Sequence, residues 1–311
     1  MNHHVVIGSG PVGSGVTERL VDRGLAVTVV TRSGSGMAHP LVTRVAANAV
    51  DEDALTKAAD GAVAIFNCVN PPYHRWATDW PPMHRSIITA AERTGAVVVM
   101  MDNLYCFGPG STMPMREHDP FSATGVKGRM RATMATELLA AHHEGRLRAT
   151  LARASDFFGP AVKDAALGER TMPKVLAGKK VGLLGRLDVP HSVSYMPDVT
   201  RTLVTIAIDE RAWGKPWHVP NAPALTQAVL VRRLAEAAGT RSTATAIPAF
   251  ALNALGVFNP AIRELNETRY QFTEPWITDS KLTEQTFGLT ATPIEDAAAA
   301  TVAWWRAHST R

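Results

Sequence analysis

Three glycines near the start of the chain have the spacing of a phosphate-binding turn. Gly8, Gly10 and Gly13 lie between a short β-branched run and apolar residues at helical spacing. In a strand–turn–helix of this kind, the first glycine allows a tight turn, the second lets a pyrophosphate approach the backbone, and the third lets helix and strand pack closely. The helix N-terminus then presents unpaired N–H groups and a positive dipole end. The motif predicts a dinucleotide site; a glycine-rich turn without a ligand is the alternative.

The end of the second predicted strand decides which dinucleotide is preferred. Thr31, Arg32 and Ser33 stand where NAD-binding proteins usually have the Asp or Glu that holds the ribose 2′-hydroxyl. Arg32 can instead make paired charge-assisted hydrogen bonds to a 2′-phosphate, and Ser33 can add another. A solvated arginine at a strand end is the alternative interpretation. We expect NADP(H) to be preferred over NAD(H).

The elements that position these residues alternate between strand and helix over roughly the first 155 residues. Strands are predicted at 4–7, 26–31, 42–47, 62–69, 96–101 and 147–152, and helices from 51, at 84–94 and at 130–143. This alternation is typical of an α/β fold with a doubly wound parallel sheet, the Rossmann fold. We expect residues 1–158 to form a dinucleotide-binding domain.

The second half of the chain has a different composition. Proline and glycine are frequent between residues 159 and 185, and helices are predicted at 225–238, 248–255 and from 292. We expect residues 159–311 to form mainly a smaller C-terminal substrate-binding cap, with some segments returning to the first domain.

Composition and charge exclude several classes of protein. The 311 residues have a net charge of +4 that is spread along the chain, without the basic runs that bind nucleic acid or anionic membranes. No apolar stretch approaches the ~18 residues of a membrane span, and no charged leader precedes the first strand. Cys68 and Cys106 lie in or beside apolar strand segments, which favours reduced thiols. We expect a cytoplasmic protein without nucleic-acid or membrane partners.

Five segments occur in the order typical of one known family. They are the glycine motif and the segments 97–108, 153–160, 195–199 and 279–293, which together span nearly the whole chain. The sequence resembles an extended short-chain dehydrogenase/reductase of the NAD-dependent epimerase/dehydratase family, in its atypical actinobacterial branch. The resemblance implies a Rossmann fold, a nicotinamide dinucleotide cofactor and a homodimer.

The catalytic residues of that family are replaced in this chain. The resemblance places the family's serine on Asn103 and its Tyr-x-x-x-Lys motif on Lys127 to Arg131, so the usual proton relay is absent. It implies that Lys127 is the proton donor, that Arg131 binds the ribose and that Asn103 polarises a carbonyl. Lys127 and Arg131 share a helix face, where the second cation and apolar burial would ease proton loss from the lysine. A solvated basic face is the alternative, and Tyr105 is either a further proton donor or a core tyrosine.

Further positions complete the predicted site. The other cofactor positions that the resemblance implies are Pro11, Val12, Asn48, Ala49, Val69, Asn70, Pro71, Ala154 and Ser155. Candidates for the substrate pocket are Tyr73, Asp156, His191 and Tyr195. Trp76 and Trp80 either line an aromatic pocket or pack in the core. No metal site is expected, because the adjacent His142 and His143 would point in different directions from a helix.

These residues and the resemblance favour an NADP(H)-dependent oxidoreductase with a non-standard active site. The expected substrate is a small, apolar carbonyl compound or activated alkene. The alternatives are a nucleotide-sugar epimerase or dehydratase, and a non-catalytic NADP-binding sensor that controls a partner protein. A homodimer is expected through the helices 84–94 and 130–143, with apolar contacts from Ile87, Ile88, Met134, Leu138 and Leu139.

Overall fold

The structure is a computed structural model that describes residues 3–248 and 264–308. Within it the chain forms two compact units, each made of three stretches of sequence. Unit 1 comprises Met1–Cys106, Val126–Arg153 and Val199–Trp217, and unit 2 comprises Phe107–Gly125, Ala154–Asp198 and His218–Arg311. The chain therefore leaves and re-enters each unit, and Val199–Trp217, from the part of the chain that was expected to form mainly the cap with some segments returning, belongs to unit 1.

Thirteen strands occur in the described residues. They are β1 (His3–Ile7), β2 (Ala26–Thr31), β3 (Val42–Ala46), β4 (Ala62–Asn67), β5 (Val97–Asn103), β6 (Arg148–Ala154), β7 (Asp156–Phe158), β8 (Val181–Leu183), β9 (Pro190–His191), β10 (Val193–Tyr195), β11 (Pro216–His218), β12 (Leu225–Thr226) and β13 (Ala244–Ala246). Seven of them form one sheet in the order β11-β6-β5-β4-β1-β2-β3. The pairs around β1 are parallel, and Ile7 lies opposite Val30 of β2 and Asn67 of β4. The predicted doubly wound sheet is confirmed, with its strand order reversing between β1 and β4.

Nine α-helices accompany these strands in the described residues. They are α1 (Pro11–Val21), α2 (Glu52–Ala58), α3 (Trp76–Thr94), α4 (Val126–His143), α5 (Met172–Leu176), α6 (Met196–Ile208), α7 (Gln227–Ala237), α8 (Lys281–Phe287) and α9 (Ile294–His308). The helix predicted at 248–255 lies outside the described residues, apart from residue 248 itself. Among the described residues, no helix is long and apolar enough to span a membrane.

Two helices begin earlier than predicted. Helix α3 starts at Trp76 and contains Pro81 and Pro82, although the prediction began it after both prolines. A proline lacks the N–H that would bond the preceding turn, so each costs one backbone hydrogen bond without ending this helix. The buried side chains of Trp76 and Trp80 bind the first turns to the core and offset that loss. Helix α4 starts at Val126, four residues before the predicted start.

The core of unit 1 lies between the sheet and helices α3 and α4. Val5, Ile65 and Val98 of the sheet are buried together with residues of both helices. Ile87, Met134 and Leu138 belong to this core and are almost completely buried. They cannot supply the dimer contact that was predicted for them, because their apolar surface is already covered within one chain. Ile88 and Leu139 are half-buried, and the homodimer itself stays a prediction.

Unit 2 has a separate core and three small two-stranded sheets. The pairs β7–β10 and β8–β13 are parallel, and β9–β12 is antiparallel. Helices α7 and α9 pack together through Leu230, Leu234, Val302 and Trp305. The predicted helix at 225–238 is α7, whose first two predicted residues instead form β12. Unit 2 thus brings together strand residues that are far apart in sequence.

Candidate functional site

The three glycines of the turn after β1 have different steric surroundings. Gly8 has a φ of +100°, and a Cβ there would lie 2.8 Å from the carbonyl oxygen of Cys68. A Cβ on Gly13 would lie 2.0 Å from the carbonyl oxygen of Gly8, so only glycine lets α1 approach the strand end so closely. A Cβ on Gly10 would meet no atom within 4 Å. The structure therefore has open space at the glycine where the motif expects a pyrophosphate.

The N-terminus of α1 faces this space without a capping side chain. Gly10 is the N-cap residue, Pro11 occupies the first turn, and Ser14 N donates to the carbonyl oxygen of Gly10 at 2.8 Å. The amides of Val12 and Gly13 have no helical partner, as is general for the first turn. These donors and the positive dipole end suit an anionic group, so the turn fits a dinucleotide pyrophosphate.

Arg32 stands exposed at the end of β2, and among the described residues nothing pairs with its guanidinium. A group of hydroxyls lies beside it in sequence. Ser35 Oγ lies 3.0 Å from Ser33 Oγ and 3.4 Å from Ser9 Oγ, and the Ser35 carbonyl accepts from Thr31 Oγ1 at 3.0 Å. Ser35 thus joins the loop after β2 to the glycine turn. The sequence analysis missed Ser35, although the Ser-Gly-Ser-Gly run at 33–36 is a signal for a tight loop.

The other predicted cofactor positions differ in how far their side chains are exposed. Asn48 is exposed, and its side-chain oxygen accepts from Val50 N at 3.3 Å. Pro71 is buried, and its carbonyl accepts from Trp76 Nε1 at 3.0 Å. Ala49 is buried, Val69 half-buried and Asn70 exposed, whereas Ala154 and Ser155 are buried in unit 2.

Lys127 and Arg131 are both buried, at 3% and 2% exposure. The solvated basic face that was the alternative interpretation is therefore wrong. Lys127 Nζ lies 4.7 Å from the centre of the Tyr73 ring, a cation–π distance. The Arg131 guanidinium lies 4.9 Å from the centre of the Trp80 ring. Helix α4 thus places both cations on its buried face, each over an aromatic side chain.

Arg131 belongs to a buried ion cluster that the sequence analysis did not anticipate. Its Nε and Nη2 donate to Asp102 Oδ1 at 2.8 and 2.5 Å, and Nη2 also donates to the carbonyl oxygen of Met101. Arg153 Nε donates to the other oxygen of Asp102 at 3.3 Å. One fully buried carboxylate therefore joins α4, β5 and β6. Of the three guanidinium nitrogens of Arg131, Nη1 is the one that has no hydrogen bond to a described residue. Nη1 is therefore the nitrogen left for the predicted ribose contact.

Asn103 and Tyr105 lie beside the aromatic residues of unit 1. Asn103 Oδ1 accepts from Tyr105 N at 3.0 Å, which orients the amide. The Tyr105 ring lies 6.4 Å from Tyr73 and 5.7 Å from Trp76, measured between ring centres. The structure thus brings Tyr105, Tyr73 and Lys127 together. Trp76 is part of the core, as the packing alternative expected.

Unit 2 contains a pocket of about 350 Å³, counting its open mouth. Asp156 and His191, two of the predicted pocket residues, line it and are joined by a 2.6 Å hydrogen bond. The other lining residues are Phe157, Ala166, Leu167, Val193, Leu225, Gln227, Leu230 and Phe272. Tyr195 is buried in the core of unit 2 beside Phe158 and does not line this pocket, and Tyr73 belongs to unit 1.

Among the described residues, the two buried thiols do not form a reactive cysteine site, and the His, Cys, Asp and Glu side chains do not form a metal site. Cys68 and Cys106 are free, and burial raises the pKa of each thiol to about 12. In residues 3–248 and 264–308, no three His, Cys, Asp or Glu side chains lie close enough to hold a metal ion.

Solved structures that are similar to this chain include a UDP-glucose 4-epimerase and a dTDP-glucose 4,6-dehydratase. The Bordetella bronchiseptica enzyme WbmH in complex with NAD+ is 18% identical with a TM-score of 0.76, and each chain is covered to 100%. The UDP-glucose 4-epimerase of Thermotoga maritima is 16% identical with a TM-score of 0.79, with 99% of each chain covered. The dTDP-glucose 4,6-dehydratase DesIV of Streptomyces venezuelae, a double mutant with NAD bound, is 18% identical with a TM-score of 0.76, over 98% of this chain and 97% of that one. At these identities the likeness concerns the fold.

No curated protein matches the chain significantly in sequence. The sequence profile of the NAD dependent epimerase/dehydratase family, in contrast, matches residues 5–219. This match includes the glycine turn, the seven-stranded sheet apart from the first two residues of β1, and the positions of Asn103, Lys127 and Arg131. The chain therefore belongs to the NAD dependent epimerase/dehydratase family.

Proposed function

We propose that the protein is an NADP(H)-dependent oxidoreductase of the extended short-chain type with a non-standard active site. Its proposed substrate is a small, apolar carbonyl compound or activated alkene. The observation that carries the proposal is Arg32, an exposed cation without a partner among the described residues, at the strand end where NAD-binding relatives have a carboxylate. A guanidinium there attracts a 2′-phosphate and gives no acceptor to a 2′-hydroxyl.

The residues on either side of Arg32 support a phosphorylated cofactor. Ser33 and Ser35 supply hydroxyl donors in the same loop, and the open space at Gly10 leaves room for the pyrophosphate. NADPH, when bound, would supply a hydride for an electrophilic carbon. The protein would then provide a proton for the oxygen or carbon that accepts negative charge, and a hydrogen bond to the oxygen of the substrate.

Lys127 is the proposed proton donor. It is buried on α4 near Tyr73, where burial disfavours its charge and the ring face favours it. Asn103 is the proposed hydrogen-bond donor, because its Oδ1 accepts from Tyr105 N and its Nδ2 is the group left to donate. Tyr105 is the second candidate for proton donation.

Two other functions are supported by separate observations. The named activities of the structural neighbours favour a nucleotide-sugar epimerase or dehydratase. That chemistry moves protons through the family's Tyr-x-x-x-Lys pair, which is Lys127 and Arg131 here, so we rank it second. The same replacement favours a non-catalytic NADP-binding sensor. Steady NADPH oxidation with a panel of aldehydes, ketones, enones and imines would separate an enzyme from a sensor.

The cofactor preference is tested by titrating the protein calorimetrically with NADPH and NADH. A charge-assisted hydrogen bond contributes about 1.5–3 kcal/mol, so Arg32→Ala should weaken NADPH binding by about tenfold or more. NADH binding should hardly change, because NADH has no 2′-phosphate. Arg23→Ala is the matched control, since it removes the same charge from another exposed site in unit 1. Equal affinities of the unmutated protein for the two cofactors would contradict the proposal.

A further inference from the structure

The pocket of unit 2 is built from elements that come from four parts of the chain. Asp156 lies on β7, His191 on β9, Leu225 on β12 and Gln227 at the start of α7. Leu225 and His191 are paired residues of the antiparallel strands β9 and β12. The pocket is therefore framed by backbone hydrogen bonds and not by a single loop.

His191 presents no free N–H to the pocket. Its Nδ1 lies 2.9 Å from the carbonyl oxygen of Gln271, which can only accept, so Nδ1 bears a hydrogen. Its Nε2 lies 2.6 Å from Asp156 Oδ2. Either an imidazolium donates to a carboxylate, or a protonated Asp156 donates to a neutral ring. In both cases the pair has no net charge, and the ring is stacked on Phe272 at 5.1 Å.

The polar atoms that remain in the pocket are acceptors. Asp156 Oδ1 has no hydrogen bond within the described residues, and the Asp156 side chain is 30% exposed. Gln227 Nε2 donates to the carbonyl oxygens of Leu184 and Arg186, at 2.8 Å each, so Oε1 is the polar atom that Gln227 has left. None of the lining residues that the structure describes is a lysine or an arginine. The remaining walls are apolar.

From this donor and acceptor balance we infer that the pocket binds an apolar group with a neutral hydrogen-bond donor, such as a hydroxyl, and not a nucleoside diphosphate. A phosphate would face the acceptors of Asp156 and Gln227, and none of the described lining residues is a lysine or arginine that could balance its charge. An ammonium would add net charge beside a pair that is already neutral. A hydroxyl can donate to Asp156 Oδ1 while its apolar body contacts Leu167, Leu230 and Phe272. In taking this ligand to be part of the substrate, the inference rests on the proposed function.

Binding of small probes tests the inference without cofactor or turnover. Benzyl alcohol and benzyl methyl ether share an apolar body, but only the alcohol has a donor, and benzylammonium and UDP-glucose represent the other ligand classes. Titrations followed by protein NMR give the affinities. We expect benzyl alcohol to bind at least about fivefold more tightly than the ether, as one hydrogen bond predicts. UDP-glucose should not displace it.

Two variants and one control locate the effect. In Asp156→Asn, one amide oxygen can still accept from His191 and the NH₂ group then faces the pocket, so the preference for the alcohol over the ether should fall below about twofold. Leu225→Phe narrows the pocket without changing its polar atoms, so it should weaken both probes by the same factor. Asp164→Asn removes an exposed carboxylate of unit 2 that does not line the pocket and should change neither affinity.

The outcomes separate this inference from the proposed function. Equal binding of the alcohol and the ether, tighter binding of benzylammonium, or displacement of benzyl alcohol by UDP-glucose would overturn it. If the Asp156→Asn variant does not fold, the ratio of alcohol to ether affinity in the unmutated protein and in Leu225→Phe still tests the inference. A failed alcohol preference together with intact NADPH selectivity would leave the oxidoreductase proposal standing with another substrate class. A lost NADPH selectivity leaves the probe titrations valid, because they contain no cofactor.

Discussion

Lys127 is a lysine at a position where burial of a charged side chain is costly. It is 3% exposed, and the Tyr73 ring is the aromatic face nearest its ammonium group. The cation–π contact with Tyr73 contributes about 0.5–2 kcal/mol and is one of the interactions that hold the ammonium group. A buried lysine that is held in this way has a defined position from which a proton can be transferred. This supports a role for Lys127 in chemistry and not in solubility.

Replacing Lys127 by methionine tests that role. Lys127→Met keeps an unbranched side chain of similar length and removes the proton donor. General-acid catalysis contributes a factor of about 10²–10⁴, so turnover of a carbonyl substrate identified in the panel should fall by that factor. NADPH affinity should change little, and stopped-assay kinetics with calorimetry measure both.

Lys57→Met, on the exposed surface of α2, is the matched control for Lys127→Met. It should leave both turnover and NADPH affinity unchanged. Wild-type turnover in Lys127→Met would move proton donation to Tyr105 or to water.

Single residues also show where sequence reasoning reaches its limit. The four-residue spacing of Lys127 and Arg131 correctly predicts that they share one helix face. It does not predict that Asp102 binds both Arg131 and Arg153, because the strand pairing that brings β5 and β6 together is a long-range contact. A polar residue inside an apolar strand is the only local signal for such a cluster.

At the scale of elements, hydrophobic patterning predicted the first six strands of the sheet to within one or two residues. The apolar, β-branched composition of β1, β4 and β5 is typical of strands buried on both faces, and these three strands are largely buried. The start of α3 was misjudged, because Pro81 and Pro82 resemble a helix boundary in sequence. Burial of Trp76 and Trp80 offsets the backbone hydrogen bonds that the two prolines remove. This is a tertiary effect, and a local sequence pattern does not show it.

The element formed by β1, the glycine turn and α1 gives a prediction that separates folding from binding. Gly10 has a φ of −69° and open space around its missing Cβ, so Gly10→Ala should fold with unchanged stability. The new methyl group would occupy space needed by the pyrophosphate, so NADPH affinity should fall at least about tenfold.

Gly13→Ala is the contrasting variant, because its Cβ would lie 2.0 Å from the Gly8 carbonyl oxygen. It should lower the thermal midpoint or prevent folding, whereas thermal melts of Gly10→Ala should resemble those of the unmutated protein. Gly10→Ala with normal NADPH affinity would show that the cofactor does not contact this turn.

The whole molecule should lose stability in mild acid. Burial, followed by the nearby Arg131 cation, lowers the pKa of His84 to about 4, and burial also lowers the pKa of His4. Glu137 Oε2 lies 3.5 Å from His84 Nε2 but is 59% exposed, so it compensates little. The unfolded histidine has its ordinary pKa of 6.5 and therefore binds a proton first as pH falls.

The stability contributed by neutral His84 is fully present above pH 6.5 and is lost as pH falls towards 4. One pKa unit corresponds to about 1.36 kcal/mol, so this residue alone should lower the free energy of unfolding by about 2 kcal/mol between pH 7.5 and 5. Urea unfolding at a series of pH values measures the slope. His84→Gln should be flatter over this range, and an unchanged slope would show that His84 does not control it.

The pocket of unit 2 could be predicted only in part. Of the four pocket candidates named from the sequence, Asp156 and His191 line this pocket, whereas Tyr73 and Tyr195 do not. Gln227 and Phe272 lie 36 and 81 residues beyond His191, and no local pattern joins them to it. Only the packing of separate small sheets in unit 2 brings these side chains around one space.

The threading of the chain through both units has a consequence for the time course of synthesis. β11, the last strand of the large sheet, pairs with β6 but leaves the ribosome only after the long segment from 155 to 215 has been made. At about 5–20 residues per second, the nascent chain exposes an unpaired β6 edge for several seconds, when it can associate with other chains. The hydrogen bond between Phe107 and Tyr270 forms even later, because the hydroxyl that donates to the Phe107 carbonyl belongs to residue 270. Unit 1 is therefore complete only once Trp217 has been made, and unit 2 needs residues that are made after that point.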